Sequence, residues 1–166
     1  MAELQTFIGK KAVLEGLTEH PAVKAILVWK PEALIDAKLD RGELTLTIPP
    51  ELIRAAAVTV QAAGYNFFED VTAVDWFPSS PRFQLSYHIL SHSHKERIRL
   101  RVMLEGASPA VDSITPVWPS ANFYEREVFD LFGVNFVDHP DLRRIMMPDD
   151  WQGHPLRKDY PVEGYR

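Results

Sequence analysis

The chain of 166 residues contains no cysteine. That absence excludes disulfides, thiolate zinc sites, cysteine nucleophiles and iron–sulfur clusters ligated by cysteine. Glycine is also sparse, and the two nearest of the eight glycines, Gly9 and Gly16, lie seven positions apart. This spacing excludes G-x-G-x-x-G, the P-loop and the G-x-S-x-G nucleophile elbow. The chain therefore lacks the common sequence signatures of nucleotide binding and of serine hydrolases.

Long hydrophobic runs are missing as well. The longest is the five-residue run Ala25–Trp29, whereas a membrane-spanning helix needs about 20 apolar residues. The first residues show no apolar signal core, and we therefore expect the chain to stay in the cytoplasm. With 18 basic and 23 acidic residues the net charge is −5, which disfavours a protein whose whole surface binds nucleic acid. The length predicts one domain of ordinary globular composition.

Hydrophobic periodicity predicts helices and strands over the first two thirds of the chain. The predicted elements are a helix over 3–18 ended by His20-Pro21, a buried strand over 23–29, a strand over 44–48, a helix from Pro49-Pro50-Glu51 to Gly64, and strands over 66–76, 83–89 and 98–102. The last two strands flank a polar turn and form an antiparallel hairpin with one wet face. The fold class is α+β, a two-layer domain of helices packed on a mixed, mostly antiparallel sheet.

One more helix is predicted over 119–133. Ser120 is a suitable N-cap residue and Gly133 a suitable stop. Arg126 and Asp130 are spaced to pair with each other, four positions apart, on the solvated side. The opposite side carries an apolar stripe of Tyr124, Val128, Leu131 and Phe132.

The last segment, residues 134–166, has no sustained periodicity. It contains four prolines, six acidic and five basic residues, and many bulky apolar side chains. Disordered segments lack such side chains, so this C-terminal arm is interpreted as an extended strap whose path is completed by another protein. The predicted organisation is an α+β core domain over 1–118, a signature helix over 119–133 and a partner-docking arm over 134–166.

Residues 121–161 carry a dense set of motifs. They are Glu125-Arg126-Glu127, Asp130-Leu131-Phe132-Gly133, His139-Pro140-Asp141-Leu142-Arg143-Arg144, and Gly153-His154-Pro155-Leu156-Arg157-Lys158-Asp159-Tyr160-Pro161. This region closely resembles the 30-kDa subunit family of NADH–quinone oxidoreductase, the respiratory complex I. Members of this family are designated C in bacteria and J in photosynthetic relatives.

The resemblance implies a non-redox subunit of the peripheral arm of a proton-translocating complex, on the cytoplasmic face of the bacterial inner membrane. It implies the 49-kDa-type subunit (designated D in bacteria) as the packing partner, other peripheral-arm subunits as neighbours, and membrane association through the complex only. No catalytic centre, cofactor or metal is expected in this chain, whereas FMN, iron–sulfur clusters and quinone belong to the implied complex. That agrees with the missing cysteines and glycine loops.

The candidate docking residues come from the signature helix and the arm. They are Glu125, Arg126, Glu127, Asp130, His139, Asp141, Arg143, Arg144, Trp151, His154, Arg157, Lys158, Asp159 and Tyr160. The helix carboxylates suit acid–base work, but a solvated or interface-facing side with local ion pairs is the preferred interpretation. The basic residues of the arm suit either an anion or carboxylate of a neighbour or internal pairing with Asp141, Asp149, Asp150 and Asp159, and both remain open.

Three other functions are weighed. An equivalent subunit of a related membrane-bound hydrogenase or other-donor dehydrogenase remains open. A stand-alone nucleic-acid-binding domain would use Arg97, Arg99 and Arg101, but a wet sheet face, or one covered by an acidic neighbour, is favoured and no nucleic acid is expected. A histidine-based metallohydrolase would use zinc at His88, His92, His94, His139 or His154, but it lacks thiolates or carboxylates at fixed spacing.

Overall fold

A five-stranded mixed sheet forms the centre of the computed structural model, which describes residues 16–164. The strands are β1 (Asp36–Asp40), β2 (Glu43–Thr47), β3 (Phe67–Asp75), β4 (Phe83–Ser91) and β5 (Glu96–Leu104). Their spatial order is β1-β2-β5-β4-β3. Only β2 and β5 pair in parallel within this sheet, whose other pairs are antiparallel, which confirms the predicted hairpin of β4 and β5.

Three helices within residues 21–132 pack on this sheet and confirm the α+β class. They are α1 (Pro21–Trp29), α2 (Ile53–Ala62) and α3 (Ala121–Phe132). A short 3₁₀ turn, Pro50–Leu52, precedes α2, and Gly64 follows it with a φ of +99°, as the sequence predicts. Buried residues of the helices and strands form one apolar cluster, because alternate positions of β4 and β5 face the helices.

A second, two-stranded sheet flanks α3 in the chain. The strand β6 (Ala110–Asp112) pairs in parallel with β7 (Asn135–Val137), so α3 is the crossover between them. The sequence predicts neither strand, since each has three residues. Val134 and Phe136 are buried, and the C-terminal arm therefore starts inside the domain. Over 138–164 the described chain has turns and bends but no helix or strand.

The strand predicted over 23–29 is wrong, because these residues form α1. His20 caps the helix by accepting a 3.3 Å hydrogen bond from the amide of Ala22 on its imidazole, and Pro21 occupies the first turn, where its missing N–H costs nothing. A short apolar run cannot distinguish a strand from a buried helix. Here the exposed Val28 shows that the run is not buried on all sides.

Two further differences concern strand β1 and the start of α3. The sequence misses β1 because only Ala37 of its five residues is buried. Ser120 precedes α3 but makes no capping hydrogen bond with its side chain, so the predicted cap is wrong. Gly16 and Leu17 are helical, and the remainder of the helix predicted over 3–18 lies outside the described residues.

Candidate functional site

The signature helix binds the C-terminal arm through the buried carboxylate of Asp130. It accepts hydrogen bonds from the backbone amides of Ile145, Met146 and Met147, at 3.0, 2.7 and 2.8 Å. Arg144 Nη1 lies 2.6 Å from the same carboxylate. Burial alone would raise the pKa of Asp130, but the three amides and the guanidinium hold it below its ordinary value. The charged carboxylate thus fixes a turn of the arm against the end of α3.

Arg126 holds the same part of the arm by its backbone carbonyls. Its Nε donates to the carbonyl of Arg143 at 3.1 Å and its Nη2 to the carbonyl of Arg144 at 3.0 Å. The predicted ion pair between Arg126 and Asp130 on a solvated side is therefore wrong. Both residues are buried. Each one satisfies its charge by hydrogen bonds to backbone groups of the arm, which an exposed ion pair between the two would not do.

Arg157 binds the arm to the C-terminus of α3. Its guanidinium donates to the carbonyls of Phe132 at 2.6 Å, Gly133 at 3.3 Å and Ala107 at 3.0 Å. A helix end leaves such carbonyls without intrahelical partners and carries partial negative charge, so a cation is stabilised there. The φ of Gly133 is +71°, and a Cβ on it would lie 2.5 Å from the ring of His154. Only glycine fits this approach.

The imidazole of His154 packs on the edge of the same helix. Its Nδ1 lies 2.8 Å from the carbonyl oxygen of Asp130 and must donate to it. Burial lowers the pKa of His154, which favours the neutral ring. The amide of Leu156 donates to the carbonyl of Leu131 at 3.0 Å. The last turn of α3 is thereby lined by the arm.

A three-residue ion cluster ties the distal part of the arm to the sheet. Arg82 Nη2 lies 2.7 Å from both the Asp75 and the Asp159 carboxylates. The amide of Lys158 donates to Asp75 at 2.9 Å. Burial raises the pKa of Asp75, but these hydrogen bonds outweigh it and lower the pKa to about 2. Asp75 lies 83 positions before Lys158, and Arg82 lies 77 positions before Asp159. No local sequence pattern connects these residues to the arm.

Glu125 and His139 occupy a separate buried pocket beneath α3. Glu125 accepts from Ser113 Oγ at 2.6 Å and from the amide of Ile114 at 2.8 Å. His139 Nε2 lies 3.9 Å from its carboxylate, and both side chains are fully buried. Burial raises the pKa of Glu125 to about 7, although these two hydrogen bonds lower it in part. The predicted solvated position is wrong for Glu125.

The remaining candidate residues lie nearer the surface. Glu127 and Trp151 are exposed, and Arg143 pairs with Asp141 at 2.8 Å on the outside of the arm. Lys158 is exposed and Tyr160 is half-buried. The large apolar side chains of the arm that remain at least 39% exposed are Val137, Ile145, Met146, Trp151, Leu156 and Val162.

The contacts described for residues 143–159 lie within this chain, and completion of the path of the arm by another protein stays a prediction. Of the predicted internal pairs, Arg143 with Asp141 is present, whereas Arg144 uses Asp130 and Asp159 uses Arg82. Docking of the outer side of the arm to a partner stays a prediction.

The alternative sites do not assemble. His88 contacts Asp70 and Arg99 on the sheet, while His94 reaches the carbonyl of Ala63. Over residues 16–164 no group of three metal-ligating side chains comes together.

The arginines of β5 are paired within the sheet. Arg97 contacts Glu69, Arg99 contacts Glu43 at 3.0 Å, and Arg101 lies 3.4 Å from Asp36. Their positive charge is therefore neutralised by the chain itself, which disfavours a nucleic-acid strip on this face.

Known proteins resemble the chain over most of its length. The family model described as respiratory-chain NADH dehydrogenase, 30 Kd subunit, matches residues 46–166. The NADH-quinone oxidoreductase subunit designated C of Citrifermentans bemidjiense is 47% identical over 133 residues, which are 80% of this chain and 83% of that protein. The subunit of the same name from Roseiflexus castenholzii is 44% identical over 148 residues, 87% of this chain and 85% of that protein.

Two solved structures share the fold. A trypsin-resistant fragment (1-134) of Nqo5 superposes with a TM-score of 0.64 at 30% identity, covering 73% of this chain and 99% of the fragment. A chain of the archaeal membrane-bound sulfane sulfur reductase, a respiratory membrane complex, superposes with a TM-score of 0.74 at 26% identity, covering 84% of each chain.

Proposed function

Since the chain belongs to the 30-kDa subunit family of respiratory-chain NADH dehydrogenases, as its signature region predicts, we propose that it is the 30-kDa-type subunit of an NADH–quinone oxidoreductase, seated in the peripheral arm of that complex. Its role there is structural. It positions the quinone-end subunit, which is the 49-kDa-type subunit, so that electrons pass from NADH through FMN and iron–sulfur clusters to quinone at fixed distances.

One observation carries the structural role. The C-terminal arm uses its polar groups to bind its own domain, through Asp130, Arg126 and Arg157, and leaves bulky apolar side chains such as Met146 and Leu156 exposed. Exposed apolar side chains on a rigid segment suit burial against another protein. An arm already ordered by its own domain loses less entropy on docking.

The redox groups of the proposed complex belong to other subunits. This chain has no cysteine to ligate an iron–sulfur cluster, and its glycine spacing provides no nucleotide loop. FMN, the clusters and quinone are therefore assigned to partners.

The proposed location is the cytoplasmic face of the bacterial inner membrane, reached through the complex. None of the helices within residues 16–164 is long and apolar enough to cross a bilayer.

A second candidate follows from the sulfane sulfur reductase chain. Its fold match at a TM-score of 0.74 is consistent with an equivalent subunit in a membrane complex that uses another electron donor. The identities of 47% and 44% to NADH-quinone oxidoreductase subunits, against 26% to that chain, favour NADH–quinone oxidoreductase.

The test is co-purification from the native host. A tagged chain is isolated from detergent-solubilised membranes, and its partners are identified by mass spectrometry and by flavin and iron content. Recovery of the 49-kDa-type subunit with the flavin-bearing NADH dehydrogenase subunits supports the proposal. Recovery of a hydrogenase or another donor module supports the second candidate, and recovery of the chain alone contradicts both.

Two variants examine the docking surface. Met146→Glu changes an arm side chain that is 62% exposed, and Val28→Glu changes a side chain on α1 that is 79% exposed. We expect Met146→Glu to reduce co-purification of the 49-kDa-type subunit at least about tenfold, because a charge buried at an interface without a partner costs more than about 1.4 kcal/mol. Val28→Glu should leave it unchanged. Equal recovery with both variants would contradict docking through the arm.

A further inference from the structure

The carboxyl group of Glu125, on α3, is buried, and its hydrogen-bond donors are neutral groups. Its side chain is fully buried, and its hydrogen bonds come from a serine hydroxyl and a backbone amide. Within residues 16–164, His139 is the only basic side chain within 4.0 Å of it. A buried carboxylate without a cation has a large desolvation cost, which proton uptake removes.

Ser113 and Thr115 give this carboxyl group two ways to be satisfied. Ser113 Oγ lies 2.6 Å from Glu125 Oε2 and 2.7 Å from Thr115 Oγ1. With Glu125 ionised, the Thr115 hydroxyl donates to Ser113 and the Ser113 hydroxyl donates to Glu125. With Glu125 protonated, both bonds reverse: Glu125 donates to Ser113, and Ser113 donates to Thr115. A hydroxyl can act as donor or acceptor, so no heavy atom needs to move.

The neighbouring histidine does not take the proton instead. His139 Nε2 donates to the carbonyl of Asn122 at 3.2 Å, while its Nδ1 accepts from the amide of Asp141 at 3.0 Å. A doubly protonated ring would lose the second bond. Burial also lowers the pKa of His139, and the ring stays neutral.

The other titratable groups around the pocket come from three elements. From α2, Arg54 acts on Glu125 at a distance and partly lowers its pKa, while its guanidinium donates to the Ser113 carbonyl at 2.8 Å. From β6 and β4, Asp112 and Tyr87 face the pocket, and Tyr87 stays neutral because burial and then the two carboxylates raise its pKa. Among these charged groups, Arg54 favours the ionised form of Glu125, as do the hydrogen bonds from Ser113 and Ile114.

We propose that Glu125 is a reversible proton-binding site inside the domain, and that Ser113 and Thr115 form a two-hydroxyl relay that stabilises both of its protonation states. The pKa of about 7 places its titration in the neutral range. Because the folded protein then binds this proton more tightly than the unfolded chain, the site makes folding less favourable as pH rises from about 4.5 towards 7. The site joins α3 to Ser113, which follows β6, and to His139 of the arm. The pH dependence of folding therefore includes these contacts with the start of the arm.

The experiment is a carbon-13 titration of glutamate side-chain carboxyls in the full chain, from about pH 4 to about pH 9. The Glu125 resonance is assigned by its loss in Glu125→Gln, or by correlation to its own backbone if that variant does not fold. Glu127→Gln, which changes an exposed residue two positions further along the same helix, is the matched control. We expect Glu125 to titrate between about pH 6 and about pH 8, both in the unsubstituted chain and in Glu127→Gln. Titration of Glu125 below about pH 5 would overturn the proposal.

Thr115→Val tests the relay itself. Valine removes the acceptor that Ser113 uses when Glu125 is protonated and the hydroxyl donor that Ser113 has when Glu125 is ionised. In the ionised form the backbone amide of residue 115 still donates to Ser113 Oγ at 3.1 Å, and Ser113 still donates to the carboxylate, so the protonated form loses more. We expect the Glu125 pKa to fall by about half a unit or more. A carboxyl group governed by burial alone would keep or raise its pKa in this more apolar pocket, and either result would overturn the relay.

Discussion

The apolar core and the C-terminal arm are ordered by different forces. In the core, Leu85, Ile98 and Leu100 are buried within one hydrophobic cluster, and burial of apolar surface supplies the stability. At the arm, Asp130 of α3 binds backbone amides of the arm, and Arg157 of the arm binds carbonyls at the end of α3. Many apolar side chains of the arm stay exposed. Burial of apolar side chains orders the core, whereas hydrogen bonds and ion pairs of polar groups order the arm.

This difference shows how a chain can present an apolar surface and remain ordered. A segment that buried its own apolar residues would have none left for a partner. A segment with no polar anchors would lose its full conformational entropy on docking. The arm avoids both problems because buried charges of α3 and the sheet fix its backbone.

The largest expected effect comes from the core. Leu100→Ala removes a fully buried side chain from β5, between β2 and β4, and we expect the free energy of unfolding to fall by about 4 kcal/mol. Urea unfolding measures it, with Leu39→Ala as the control, since Leu39 is 54% exposed and should cost less than about 0.5 kcal/mol. Protection of the arm amides should fall with that of the core. An arm that stayed protected would show that it does not depend on the domain.

The next effect is confined to the arm. Asp130→Asn keeps the shape but places an amide group among three donating backbone amides and leaves Arg144 without its carboxylate. We expect about 3 kcal/mol of local destabilisation, which makes the amides of 145–147 exchange about 100-fold faster. Hydrogen exchange resolved by residue measures this.

Asp141→Asn is the matched control for that variant. The Asp141 side chain is 54% exposed and pairs with Arg143 on the outside, so exchange at 145–147 should barely change. If Asp130→Asn instead unfolded β4 and β5 to the same extent as the arm, the two regions would form one cooperative unit and the comparison would fail.

Apolar periodicity predicts the parts of the fold that apolar burial decides. The hairpin of β4 and β5 and helix α2 follow from repeats of two and about 3.6 residues. Periodicity fails for residues 23–29, because a short apolar segment fits both a strand and a helix. The His20 cap and Pro21 decide in favour of the helix. The strands β6 and β7 are too short to show any period.

The site is less predictable, because its contacts join residues distant in sequence. The motifs identify Arg126, Asp130 and Arg157 as important, but their spacing suggests an exposed pair between the first two. In fact each binds the backbone of another segment. Asp75 and Arg82 give no local signal, since their partner Asp159 follows Arg82 by 77 positions. Composition does indicate that the arm is ordered, but not which surface orders it.

Acid should release the arm through Asp75. Because its folded pKa is about 2 and its unfolded pKa about 3.9, its contribution to stability is complete above about pH 4 and is lost as pH falls towards 2. The loss is about 2 kcal/mol. Urea unfolding at about pH 5 and about pH 2.5 measures it against Asp75→Asn, in which this part of the dependence should vanish. An identical acid dependence in the variant would assign the effect to other carboxylates, such as Asp130.

The smallest expected effect concerns the outer half of the same cluster. The Asp159 side chain is 45% exposed, whereas Asp75 is fully buried, and Arg82 contacts both. Asp159→Asn leaves Arg82 paired with Asp75, and screening by water limits the loss to about 0.5 kcal/mol. The loss of stability in Asp159→Asn should become smaller when salt is raised from about 0.1 M to about 1 M, because salt screens the attraction between exposed charges. Exchange of the Lys158 amide, which donates to Asp75, reports it directly. An exchange rate raised as much as in Asp75→Asn would mean that the exposed pair of Arg82 with Asp159 holds the arm as strongly as the buried pair. The distinction between buried and exposed contacts of the arm would then not hold.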